Sequence, residues 1–154
     1  MAGQPEIARA LRQAGLRLTP QRYDVLAFLA GRRVHATADE IFQAVNRAHP
    51  RLSRATVYNT LRALVRGGLV RELAADGAAA RFDARLERHH HFVCDACGGI
   101  EDVEWFELPP ALRRRARSGG TVREIEVIFR GFCRRCAGAP RPGGVPGSYT
   151  ATKQ

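Results

Sequence analysis

No apolar run in this chain approaches the ~20 residues a helix needs to cross a bilayer, which excludes a membrane-spanning helix. The opening Met-Ala-Gly-Gln-Pro-Glu lacks the basic-then-apolar order of a secretory signal, so a cytoplasmic location is expected. Acidic residues are the scarce charge, 15 against 25 basic, for a formal net charge of +10. Such an excess points to a polyanionic partner, with nucleic acid as the natural one. Lysine is nearly missing, since arginine supplies 24 of the 25 basic residues. That suits bidentate phosphate contacts but equally reflects genome composition, so it decides little. No HExxH or nucleophile motif is present, and the chain is not expected to be an enzyme. Cysteine is sparse too. There are four, in two CxxC pairs, and in a reducing compartment such pairs suit metal better than disulfides.

What is there falls into two halves. Residues 1–83 carry 13 basic and 7 acidic side chains, and residues 84–136 carry 10 and 8, so the excess sits mainly in the first half. That half reads as short capped helices. Pro5 suits a helix start, Ile7, Ala10, Leu11 and Ala14 form a stripe, and Gly15 can end it. Thr19-Pro20 is an N-cap followed by proline at N1, opening a helix that buries Val25, Leu26 and Leu29 and stops near Gly31. Thr37-Ala38-Asp39-Glu40 has the capping-box pattern and opens a third helix with Ile41, Phe42 and Val45 inward. Ser53 caps a fourth, through about Arg66, with Val57, Leu61, Leu64 and Val65 facing the core and Gly67-Gly68 as its stop.

The period then changes. Residues 69–73 and 80–83 alternate as strands around Ala74-Ala75-Asp76-Gly77, a hairpin with an Asp-Gly turn. Helices followed by a two-stranded hairpin are the order of a winged helix-turn-helix. Helix 38–48 would support and helix 54–66 would enter the major groove, presenting Arg54, Thr56, Tyr58, Asn59 and Arg62 to phosphates and base edges. An ordinary solvated face is the plain alternative for those side chains.

Residues 84–88 form a polar link, and a second unit follows. Phe92-Val93, residues 100–105 and residues 122–132 read as strands, and Pro109-Pro110 opens an Arg-rich helix to about Ser118. A sheet and one helix in about 50 residues is small for independent folding, so metal or dimerisation must contribute. Residues 137–154, rich in proline and glycine, read as a disordered tail.

The chemistry is concentrated at His89-His90-His91-Phe92-Val93-Cys94-Asp95-Ala96-Cys97. Cys94, Cys97, Cys133 and Cys136 supply four thiolates in two knuckles, which is the donor set of a closed structural zinc site. His89 and His91 alternate on a strand and share a face, whereas His90 points the other way, to solvent or a dimer surface. Asp83 and Asp102 are the nearest carboxylates, and His35 lies in the loop before the third helix. Spacing alone leaves these open between a second, exchangeable His/Asp metal site and ordinary surface or capping roles.

Leu18-Thr19-Pro20-Gln21-Arg22, His35-Ala36-Thr37-Ala38-Asp39-Glu40-Ile41, Ala55-Thr56-Val57-Tyr58-Asn59-Thr60-Leu61, Arg81-Phe82-Asp83 and His89-His90-His91-Phe92-Val93-Cys94 together resemble the ferric uptake regulator family, on its peroxide-responsive branch. The resemblance runs from residue 5 to 136 and implies an α+β chain. A winged-helix DNA-binding domain (1–83), a hinge (84–88) and a small α/β dimerisation domain with the four-cysteine zinc (89–136) would build a homodimer on double-stranded operator DNA. It implies a regulatory site of His35, Asp83, His89, His91 and Asp102 for Fe(II) or Mn(II). Arg17, Thr19, Gln21 and Arg22 join the expected DNA contacts.

Asn59 and Asp83 match the peroxide branch, where iron sensors commonly have Arg and Glu. The family's third metal site often uses a His where Ile125 stands here, and another ligand where Arg88 precedes His89, which speaks against a third site. The implied activity is transcriptional repression relieved by peroxide: Fe(II) at the site generates a radical that oxidises His35 or His89, and the metal is lost. An iron-responsive repressor is the alternative, ahead of a zinc, manganese or nickel sensor. A zinc-dependent hydrolase and a metal-stabilised RNA-binding protein are the rivals from other classes.

Overall fold

The computed structural model describes residues 4–32, 34–48, 50, 52–73, 79–116, 120–122 and 125–138. Four helices come first: α1 (Gln4–Gln13), α2 (Pro20–Arg32), α3 (Ala38–Ala48) and α4 (Arg54–Arg66). Their starts follow the side-chain chemistry of the caps. Arg22 N–H donates to Thr19 Oγ1 at 3.3 Å. The capping box is reciprocal, Thr37 N–H donating to Glu40 Oε2 at 2.7 Å and Glu40 N–H to Thr37 Oγ1 at 3.2 Å. Thr56 N–H donates to Ser53 Oγ at 3.1 Å. Gly68, at φ +68°, supplies the left-handed residue that ends α4.

The apolar stripes of these helices meet in one core. Leu11, Leu29, Ile41, Leu61 and Leu64 are fully buried there, each contributing about 1.5–3 kcal/mol. Val70 and Phe82 extend the core under a three-stranded sheet of β1 (Ala36–Thr37), β2 (Arg71–Leu73) and β3 (Arg81–Asp83), in the order β1-β3-β2. The hairpin strands are shorter than the pattern predicts, and the Asp-Gly turn lies outside the described residues. β1 is an addition. Two residues ahead of a helix carry no period, yet their antiparallel register, Ala36 opposite Phe82 and Thr37 opposite Arg81, sets His35 beside Asp83.

The second sheet consists of β4 (His90–Cys94), β5 (Ile100–Val103) and β6 (Ile128–Gly131), with β4 central, antiparallel to β5 and parallel to β6. A helix α5 (Pro110–Ala116) lies between β5 and β6 in sequence, and its expected last turn falls outside the described residues. β6 is four residues rather than the eleven predicted, although Val127 O still accepts from His91 N–H at 3.1 Å. Buried apolar side chains are few here. Among the described residues only Val93, Cys94 and Cys133 qualify. All but two residues of the predicted tail are outside the described residues. No helix among the described residues is long and apolar enough to cross a membrane.

Candidate metal centres

Two clusters of metal-ligating side chains emerge from this arrangement. In the first, β4 delivers Cys94, the turn after it delivers Cys97, and the turn after β6 delivers Cys133 and Cys136. Their sulfur atoms all lie within 4.8 Å of one another. Cys97 Sγ and Cys133 Sγ are 3.9 Å apart. Sulfurs at tetrahedral positions around zinc sit about 3.8 Å apart, given Zn–S bonds of about 2.3 Å. The first knuckle is closed by Gly98 N–H donating to Cys94 O at 2.8 Å, and Gly98 sits at φ +64°, which favours glycine.

The backbone N–H of Cys133, which donates to Cys94 Sγ at 3.3 Å, and that of Cys97 pull the Cys94 thiol down to about 6. Cys136 is pushed up to about 12, because its proton is shared with the sulfurs of Cys133 and then Cys97. A cluster that resists losing its last proton to water yields it to a thiophilic cation.

The second cluster spans both sheets. His89 precedes β4 and His91 lies on it, two residues apart and therefore on one face. Asp102 is His91's direct cross-strand partner on β5. His35 and Asp83 reach in from the ends of β1 and β3. Donor atoms of His35, Asp83, His89 and His91 lie within 4.8 Å of one another, and all four residues are buried. His89 Nε2 is 2.9 Å from His91 Nε2, which is 3.1 Å from His35 Nε2.

Asp102 lies outside that tight set but close to it. Its Oδ1 is 3.1 Å from His35 Nε2 and 3.5 Å from His89 Nε2. Asp83 Oδ2 is 3.3 Å from His89 Nε2 and 3.9 Å from His35 Nε2. Neither of these two oxygens has a hydrogen-bond partner among the described residues, although both are buried.

The outer faces of the rings decide what the inner faces can do. His89 Nδ1–H donates to Glu87 O at 2.8 Å, and His91 Nδ1–H donates to the Glu126 carboxylate. With Nδ1–H donated outward, the neutral form of each ring turns an Nε2 lone pair inward. Two lone pairs facing across 2.9 Å beside two orphaned carboxylate oxygens repel one another unless a proton or a cation sits among them. Nitrogens bound at right angles to one metal, at about 2.1 Å each, stand about 3.0 Å apart. The donor set fits a borderline divalent ion.

Burial lowers the pKa of His35 against the opposing pull of Asp83 and Asp102. Its folded value thus lies below its ordinary 6.5, and the unfolded chain takes up the proton first as the pH falls. The stability this contributes is present above 6.5 and is lost as the pH falls below it. Melting of the chain holding only its zinc is therefore expected to drop below pH 6.5 in the native sequence and to flatten in His35→Asn. Equal slopes in the two would rule out this origin.

Sequence reasoning misplaced His90. It is 0 % exposed rather than at solvent, with ring centroids 4.6 Å from Trp105 and 4.4 Å from Phe106. Both faces of the central strand are covered, so alternation away from the histidine cluster leads into a second packed layer instead of to water. It also missed Glu126 and Arg85. Glu126 lies just before β6, a sheet neighbour only through the parallel pairing. Arg85 looked like an ordinary link residue, but its side chain is 12 % exposed and bonded to Asp102 and Glu104.

The residues expected to meet DNA are not equally available. Tyr58, Asn59 and Arg62 are exposed on α4. Arg54 pairs with Asp39 and lies 4.8 Å over the Phe42 ring, while Thr56 shares a 2.8 Å hydroxyl contact with Ser53. Arg17 is exposed. Thr19 serves as the α2 cap, half-buried Gln21 follows in its first turn, and Arg22 reaches back to Arg17 O at 2.8 Å.

Comparison with known proteins places these features in context. The family model described as ferric uptake regulator family matches residues 13–129. The peroxide-responsive repressor PerR of Staphylococcus aureus (strain Mu50) is 37% identical over 136 residues, covering 85% of this chain and 89% of that protein. The crystal structure of the Campylobacter jejuni peroxide stress regulator superposes with a TM-score of 0.64 at 30% identity, covering 88% of this chain and 100% of that one. The Vibrio cholerae ferric uptake regulator shares the fold, with a TM-score of 0.66 at 23% identity over 82% of this chain and 98% of that one.

Proposed function

The chain belongs to the ferric uptake regulator family, and from that premise we propose that it is a metal-dependent DNA-binding repressor that responds to hydrogen peroxide. The observation that carries this reading is the convergence of His35, from the helical unit, on His89 and His91, from the second sheet. A divalent ion held by those three with Asp83 and Asp102 ties residues 1–83 to residues 89–136 across the link at 84–88. Tied, two chains of a homodimer would set their α4 helices about one turn of operator DNA apart. Untied, they lose that orientation, and DNA affinity falls by the metal's preference for the closed form. The reading places the protein in the cytoplasm, as a regulator and not an enzyme.

The four cysteines would hold zinc, closed to exchange because no fifth position is left. The His/Asp centre would take Fe(II) or Mn(II). Fe(II), when bound, supplies the electron that splits hydrogen peroxide. His35, His89 and His91 all present their rings to that centre, and the family resemblance makes His35 and His89 the side chains that would be oxidised. A cleft of about 480 Å³ between the two units, lined by Phe28, Val34, His35 and Asp102 among others, gives a small oxidant access. Glu126 and Glu87 O fix the tautomers of His91 and His89, keeping Nε2 unprotonated and inward.

Operator-type DNA binding should be measured with Fe(II) and with Mn(II), before and after dilute peroxide. With Fe(II) the affinity is expected to fall by at least about tenfold, with oxygen added to His35 or His89. With Mn(II) it is expected to hold. Unchanged DNA affinity and unmodified His35 and His89 in the Fe(II) form would favour the iron-responsive reading instead.

A further inference from the structure

Asp83 and Asp102 come from different sheets, yet each turns a single oxygen toward the histidines. One residue accounts for both. The backbone N–H of Arg85 donates to Asp83 Oδ1 at 2.7 Å, and its side-chain Nη1 donates to Asp102 Oδ2 at 2.8 Å. The opposite oxygens are the two buried, unpartnered ones that face the rings. The guanidinium is itself anchored, Nη2 and Nη1 reaching Glu104 at 3.0 and 3.3 Å, and the side chain is 12 % exposed. Arg85 is thus held by Glu104 on one side and holds Asp102 on the other.

We infer that the Arg85 guanidinium makes Arg85 a positioning residue that restricts Asp102 to one donor oxygen toward the regulatory ion, as the backbone N–H at the same position already does for Asp83. The inference rests on the metal-sensing reading above. A carboxylate whose second oxygen accepts a charge-assisted bond from a fixed guanidinium cannot rotate to offer both oxygens without breaking that bond. Three imidazole nitrogens and two single oxygens make five donors. Iron sites that react with oxygen species need a position left open, and a two-oxygen Asp102 would take it. Arg85 therefore acts on reactivity more than on retention of the ion. An ion pair that merely stapled the link to β5 would leave the centre's electronic structure alone.

The test uses the full chain with zinc in its four-cysteine site and Co(II) as the probe of the second. Co(II) with five donors absorbs visible light more strongly than Co(II) with six. Arg85→Met is expected to bind Co(II) with its visible band weakened roughly threefold. Its Fe(II) form should oxidise its histidines about tenfold more slowly. Arg85→Lys, which retains a donor for Asp102, should restore most of both. Should Arg85→Met not fold, a band that weakens from Arg through Lys to Gln at this position supports the assignment. Spectra and oxidation rates equal to those of the native chain overturn it, leaving Arg85 a staple. A native chain that binds no Co(II) beyond the cysteine site overturns the metal-sensing reading, and the Arg85 assignment with it.

Discussion

Cys94→Ser will carry almost no zinc, and its second sheet will not form. The expectation follows from how little else holds that sheet. Val93, Cys94 and Cys133 are its only buried apolar residues among those described, while the helical unit has a full core of its own. A structural zinc contributes about 10–16 kcal/mol to folding at neutral pH, more than a sheet this small could gain from apolar burial. The N–H of Cys133 and then of Cys97 also favour the thiolate of Cys94. Serine at that position keeps the size but not the ligand. Metal analysis, near-ultraviolet circular dichroism from Trp105 and sedimentation would together read the outcome. The zinc content, the Trp105 signal and the proposed dimer should go, and most of the far-ultraviolet helical signal should stay. A variant that kept about one zinc per chain and its Trp105 signal would mean the cysteine cluster does not build the sheet.

The contrast between the two units also explains what the sequence made legible. Helices α1 to α4 could be read because capping chemistry and the apolar stripe agree at each one, from Thr19 and Ser53 at the starts to Gly68 at the end. The four-cysteine cluster could be read because a CxxC spacing carries its own geometry. His35 was reachable only through family resemblance. The reason is β1, a two-residue strand whose pairing with β3 is a long-range event with no local signal. The same limit hid Glu126, which meets His91 across 35 residues. His90 failed for another reason. Alternation says which side of a strand a residue faces, but it says nothing about whether that side is wet. Trp105 and Phe106 cover it from just beyond the end of β5, and the strand pattern read over 100–105 carries no sign that these rings close over His90.

His35→Ala should separate metal binding from DNA binding, which no other single change at this centre can do as cleanly. His89, His91 and Asp102 all belong to the second sheet, and Asp83 ends β3 at the edge of the link. His35 is the imidazole that the first unit contributes, from just before β1, and its carbonyl oxygen is tied to Arg81 46 residues later. Without it, four donors are left, enough to hold Mn(II) but with affinity lowered by about 10–100-fold. At saturating Mn(II) the site fills, yet the helical unit has lost its only imidazole to the ion. Metal should then raise operator affinity by no more than about twofold, where a coupling of the usual size gives about 5–150-fold.

Asp102→Ala provides the contrast. It weakens the ion's hold from the second-sheet side, so added Mn(II) should restore most of the DNA affinity. Fluorescence anisotropy of an operator duplex, titrated with each protein at low and at saturating Mn(II), measures both. Zinc content should be the same in all three proteins, which excludes a collapse of the second sheet as the cause. If His35→Ala responds to Mn(II) as fully as the native chain, the two units are not joined through this imidazole. The burial of His35 would then be a matter of packing.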